Sequence, residues 1–337
     1  MPILNVPPAN GAAPATIARA PWSVRRTSTI DTSWPQGRDK AMHMVGHARD
    51  LLTRTVEAAP TILAEDRFVA EVSPQREIIT VTTEPPRSTA ALAGARAGSQ
   101  LRTAIANTLE DELVRGTPLY LLLDDIAGAS LVAQWGVFQW FREPTMPAVV
   151  QTQGDDRFTR MEGVCIGFSP DSPVMAGGPE DRINYHVPVE PLDATADPHA
   201  WHTLSPQQGP AARRARRIDL WFDGDLIRVD AHFQDSAPLP EGGRLAVHEY
   251  LLQATIDRTS MTVQSIVADP RILPFRYCPA STLSVDRLVG VPVATLRKTV
   301  LEMFARTQGC THLNDMMRSL AEVPQLSAAL AQAIAAG

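Results

Sequence analysis

Residues 309–317, "GCTHLNDMM", place Cys310 and His312 two apart at the head of an amphipathic stretch of helical period. A thiolate and an imidazole so spaced could donate two ligands to one zinc or iron, with Cys278, at the mouth of the preceding helical region, or His248-Glu249 in "VHEYLL" as the source of a third. A thiol at a helix N-terminus is also expected to have a lowered pKa, because unsatisfied backbone N–H groups stabilise the thiolate. The interval from Cys278 to Cys310 fits no standard zinc module, so the alternative reading is a buried cysteine and a capping histidine.

A second set suits proton transfer. In "VHEYLL", residues 247–252, strand alternation puts His248 and Tyr250 on one side and Glu249 on the other. A His and a Tyr on a common face could supply a base and a proton donor, since histidine titrates nearest neutrality. Upstream, His232 and Asp235 form a His-x-x-Asp pair, which His47 and Asp50 repeat near the amino terminus. Asp124, beside Asp125, precedes a helical run bearing Trp135, Phe138, Trp140 and Phe141, where aromatics could hold a ring beside a carboxylate. Trp201 stands next to His202 in a stretch dense in Pro and Asp. The candidate catalytic residues are thus His232, Asp235, His248, Glu249 and Tyr250. His47, Asp50, Asp124, Trp135 and Trp201 are candidates for holding substrate. Against these stand blander readings: a solvated strand edge, turn or ion-pair aspartates, and aromatics that serve as core or dimer contact.

The elements that must position these side chains read as two similar halves. "RRTSTIDTSWPQGRDKAMHMVGHARD" and "RRIDLWFDGDLIRVDAHFQD" each open on an Arg pair, pass a polar turn with Gly and end in His-x-x-Asp. Each is followed by an alternating hairpin pattern, "RFVAEVSPQREIITVTT" and "HEYLLQATIDRTSMTVQSIVA", and then by helical stretches beginning at Leu101 and Leu296. Gly116 and Gly309 are expected to cap the first helix of each pair. The predicted fold is α+β: two units related by a pseudo-twofold internal repeat, each an antiparallel β-sheet followed by two packed helices. The expected organisation is a flexible or loosely draped arm over 1–20, a first unit over 21–141, a Pro/Gly-rich connection over 142–212, a second unit over 213–325 and an Ala-rich tail over 326–337.

A net charge of −6 over 337 residues argues against non-specific nucleic-acid binding, which needs clustered cations. The one dense cluster, Arg213 to Arg217, runs straight into a strand pattern. The sequence shows no apolar run near the ~20 residues of a membrane-spanning helix and no secretory signal pattern, so a cytoplasmic protein is expected. Three cysteines are too few for a disulfide framework. No Gly-x-Gly-x-x-Gly or Gly-Lys-Ser/Thr loop is present, which disfavours nucleotide cofactors.

Over Arg213 to Glu322 the motifs "RRIDLWFDG", "IRVDAHFQDS", "HEYLLQATID", "ADPRILPFRYCPAS" and "GCTHLNDMMRSL" resemble the bacterial family catalogued as domain of unknown function 2889. With "VRRTSTIDTSWPQG", "LYLLLDDIAGASLV" and "VCIGFSP", the whole is similar to longer members from soil bacteria that degrade aromatic or isoprenoid compounds. The family brings no settled activity. A fainter resemblance, to iron–sulfur cluster scaffolds, rests on Cys278 and Cys310 at helix starts beside an antiparallel sheet. The expectation is an enzyme of small-molecule catabolism, a lyase working by acid–base chemistry on an aromatic, hydroxylated apolar substrate. It would act as a homodimer without a cofactor. The alternative is a zinc, iron or iron–sulfur carrier using Cys278, Cys310 and His312.

Overall fold

A computed structural model describes residues 6–141, 161–176 and 186–337. The alternating stretches form long antiparallel strands: β1 (Ser23–Ser33), β2 (Met42–Thr53), β3 (Thr61–Val72), β4 (Ile78–Glu84), β5 (Val187–Val189), β6 (Ala211–Asp223), β7 (Leu226–Pro238), β8 (Arg244–Asp257) and β9 (Val263–Ile272). They make one sheet in the order β4-β3-β2-β1-β6-β7-β8-β5, with β9 also paired to β8. The two halves meet at β1 and β6, which pair along their length, Ser23 opposite Trp221 and Ser33 opposite Ala211. The α+β class with an antiparallel sheet is as expected, but the halves share a single sheet.

Seven helices are described: α1 (Ser99–Thr108), α2 (Glu110–Arg115), α3 (Pro118–Trp140), α4 (Pro173–Ala176), α5 (Leu296–Met303), α6 (Thr311–Ser319) and α7 (Val323–Ala335). Period-2 alternation decides which residues meet them. Along β7, Ile227, Val229, Ala231 and Phe233 enter an apolar cluster with Leu313, Met316 and Leu326 of α6 and α7. A separate cluster joins Met44, Phe68 and Val72 to Leu101, Leu119 and Ile126. The opposite sheet face is crossed by residues of the amino-terminal arm and by the segment before β6. The arm is pinned: Asn10 bonds Asp269, Arg19 pairs with Asp197, and Thr16 accepts from the Trp201 indole.

The structure corrects several expectations. Pro118–Trp140 is long and apolar enough to cross a membrane by length and composition, yet 78% of its most apolar window is buried inside the protein. Close packing explains its glycines: a Cβ at Gly136 would lie 2.5 Å from the Ala211 carbonyl oxygen. Gly116 does cap α2 in the left-handed region, at φ 56°, but Gly309 is extended at φ −158°. Gly309 is small because a Cβ there would lie 2.8 Å from Phe304. The Ala-rich end is helix α7, anchored by buried Leu326 and Leu330. Of the expected connection over 142–212, residues 142–160 and 177–185 lie outside the described residues.

Candidate active site

The basic cluster is the seam of the sheet rather than a surface. Alternation sends Arg214 and Arg216 to the helices and Arg213 and Arg217 to the other face, and each finds a carboxylate. Arg214 forks onto Asp235 at 2.9 and 3.1 Å and reaches Asp315 at 3.1 Å; Arg216 forks onto Asp125. Arg26 forks onto Asp50 at 2.6 Å and meets Glu322 at 2.9 Å. On the opposite face Arg25 pairs with Asp219, and Arg213 with Asp31. Asp124 lies among Arg318, Arg297 and Arg102. Burial works against its charge, but the three guanidiniums outweigh that and hold the carboxyl well below its usual range. Asp50 and Asp124 are therefore occupied in ion pairs within the protein.

On the arm side, β7 and β8 carry a His–Glu dyad. His232 Nε2 lies 2.8 Å from Glu249 Oε1, and Gln234 Nε2 donates to the same oxygen at 2.8 Å. The Ala13 backbone N–H donates to Glu249 Oε2 at 2.7 Å. Burial opposes the carboxylate, yet His232, Gln234 and Ala13 together keep Glu249 below the usual glutamate range. With His232 Nε2–H donated to this anion, the basic lone pair is on Nδ1, the orientation logic of a catalytic triad. Both residues line a cavity of about 570 Å³ walled by Ala12, Pro14, Pro188, Leu192 and Leu239, with Arg244 as a cation. Burial lowers Arg244 to about 10, so it remains charged at neutral pH. Trp201 stands edge-on to His232, 6.5 Å between ring centroids.

The same two strands present a different group to the helices. Asp235 Oδ2 is 3.1 Å from His248 Nδ1 and 3.7 Å from His312 Nε2. The rings of His248 and His312 stack, 3.5 Å between centroids. Tyr250 bonds Ser281 at 3.1 Å, and burial raises its hydroxyl well above 10. Cys310 is the N-cap of α6 without a side-chain cap bond. Its thiol is raised rather than lowered, because desolvation outweighs the N–H groups of the helix start. Burial raises Cys278 too, and pushes Cys165 up to about 12.

The sheet thus divides the expected catalytic set. His232 and Glu249 lie on the arm side, while Asp235, His248 and Tyr250 lie among the helices. His232 and Asp235 are three apart in a strand, an odd interval that forces opposite faces. Of the expected substrate residues, Trp201 stands by the dyad. His47 lies tilted against His202, 4.1 Å between ring centroids, and bonds Glu65, and Trp135 packs with Val132, Leu245 and Val247. Of the expected metal ligands, His312 and His248 join the one group close enough to hold an ion among the described residues, with Asp235 in place of the two thiols. His202, which the sequence marks only as the neighbour of Trp201, has its two ring nitrogens held by Thr27 and Thr29 at 2.9 Å each.

Residues 212–325 match the model of a family described as a protein of unknown function, DUF2889. The matched span contains both the His232–Glu249 dyad and the Asp235–His248–His312 group. No curated protein and no solved structure matches the chain, so the likeness to iron–sulfur scaffolds has no support from comparison.

Proposed function

With residues 212–325 belonging to the DUF2889 family, we propose that the protein is a cofactor-independent acid–base lyase whose site is the cavity over His232 and Glu249. The observation that carries this reading is an oriented imidazole, backed by a buried carboxylate, in the wall of a largely apolar cavity large enough for a small aromatic molecule. His232 Nδ1 takes the proton of a substrate hydroxyl. The carbon–carbon bond beside that hydroxyl breaks, and a small aldehyde leaves. The bonding pair passes to the neighbouring carbon, which the imidazolium reprotonates, so no oxidant is needed. The substrate must carry a carbonyl or aryl group to spread that charge, and Arg244 is placed to stabilise it. Dehydration of the same hydroxyl is the competing outcome.

We also read the chain as a pseudo-twofold repeat, in the cytoplasm and as a homodimer, with Phe138 and Phe141 of the aromatic stripe, 41% and 56% exposed, at the dimer contact. Register supports the repeat. Arg25–Asp219 and Arg213–Asp31 exchange roles across the seam, Arg26–Asp50 matches Arg214–Asp235, and His47–Glu65 matches His232–Glu249. Only the second His–Glu pair lines a cavity among those described, so one copy carries the chemistry.

The test is to incubate the whole protein with aryl-substituted β-hydroxy ketones and trap released aldehyde. Removal of a general base costs roughly 10²–10⁴-fold. His232→Gln is expected to lose that much at unchanged melting temperature, with Glu249→Gln close behind. Wild-type protein that releases neither aldehyde nor water from such compounds overturns the reading.

A further inference from the structure

We propose that Asp235, His248 and His312 bind a divalent transition metal, iron(II) or zinc, in a site that fastens α6 to β7 and β8. Two imidazole nitrogens and one carboxylate oxygen are the donor set that both metals accept, iron(II) in facial arrangement with positions left for other ligands. The ligand atoms lie within 4.8 Å of one another, and the Asp235 oxygen is 3.1 and 3.7 Å from the two nitrogens. Bonds of about 2.0–2.2 Å to one ion place neighbouring donors roughly 3 Å apart, so the site closes when the stacked His248 and His312 rings, 3.5 Å between centroids, splay to turn both lone pairs onto the ion.

Three further observations point to a ligand here. His312 Nε2 is buried without a hydrogen-bond partner, since 3.7 Å to Asp235 is beyond reach, and buried polar atoms rarely go unsatisfied. Asp235 is already oriented from behind by the Arg214 fork, as carboxylate ligands commonly are. Asp315 at 3.1 Å and Asp125 at 3.9 Å offset part of the repulsion of that guanidinium toward a cation. The three ligands come from three elements, β7, β8 and α6, which only the folded chain brings together. The site lies across the sheet from the dyad and does not rest on the lyase reading.

Metal analysis of the purified protein, and of chelator-stripped protein reloaded anaerobically with Fe²⁺, Zn²⁺ or Co²⁺, tests it. The expected result is about one metal per chain, lost in His248→Ala and His312→Ala and kept in the Cys278→Ser/Cys310→Ser double variant. The Co²⁺ spectrum of the wild-type protein decides even where a variant fails to fold. Visible d–d bands without a thiolate charge-transfer band support the His/Asp site. A thiolate band, metal loss confined to the cysteine variant, or no metal after reloading overturns it.

Discussion

Gly128 shows how one residue can be fixed by a charge. It lies in α3 where the helix passes over β6, and a Cβ there would sit 1.8 Å from Arg214 Nη1 and 2.6 Å from Asp315 Oδ2. Gly128→Ala must push Arg214 off its partners, and breaking a buried ion pair costs about 3–5 kcal/mol. Urea denaturation is expected to show at least that loss; a variant within about 1 kcal/mol of wild type would mean the helix shifts freely. His202 makes a different prediction. Burial, reinforced by His47 at 4.1 Å and by Arg49, Arg213 and Arg67, drives its pKa well below 6.5, so it is neutral in the fold and takes up a proton on unfolding. Its contribution is complete above the unfolded value of about 6.5 and is lost as pH falls below it. The melting temperature should fall between about pH 6.5 and 5, and less steeply in His202→Gln, whose amide can still bond Thr27 and Thr29. Parallel slopes would remove His202 as the cause. His202 stands out in the sequence beside Trp201, but its threonine partners and the close approach at Gly128 were not legible, because both depend on segments far apart in the chain.

At the scale of elements, the strands were legible where alternation is clean, as in the β3–β4 and β8–β9 hairpins. The seam was not. "RRARRIDL" runs into a strand pattern, but arginine is rarely buried, and nothing local announces the aspartates on α3 and α6 that receive it. The split of the expected catalytic set, by contrast, was legible: period two already separates His232 from Asp235. Helices α1, α3, α5 and α6 are held together by Asp124, which faces Arg318, Arg297 and Arg102 at 2.8 to 3.4 Å. Arg297 and Arg318 have second carboxylates, in Glu322 and Asp315, so Asp124→Asn leaves an excess of positive charge without stripping either bare. A loss near the lower end of about 3–5 kcal/mol is expected in a denaturant titration. A neutral effect would show that the second carboxylates suffice.

At the scale of the whole molecule, two apolar clusters lie under one sheet, and the question is whether they unfold separately. The first includes Phe68, Leu101 and Leu119, and the second Phe233, Leu313 and Leu326. Backbone pairing and ion pairs both cross between the halves. β1 and β6 pair along their length, Arg26 reaches Glu322 beside α7, and Arg102 on α1 reaches Asp315 on α6. Separating the halves would strand buried arginines on both sides of the seam, Arg25 without Asp219 and Arg213 without Asp31, each an uncompensated charge. It would also expose two unpaired strand edges. The penalty for opening the seam exceeds what a half could retain on its own, so one cooperative transition is expected. Far-ultraviolet circular dichroism and tryptophan fluorescence should give superimposable urea curves. For the same reason residues 213–337, expressed alone, should aggregate or remain unfolded although they include most of the matched family span. Two resolved transitions, or a soluble and cooperatively folding 213–337 fragment, would show instead that each half is stable by itself and that the seam only docks them.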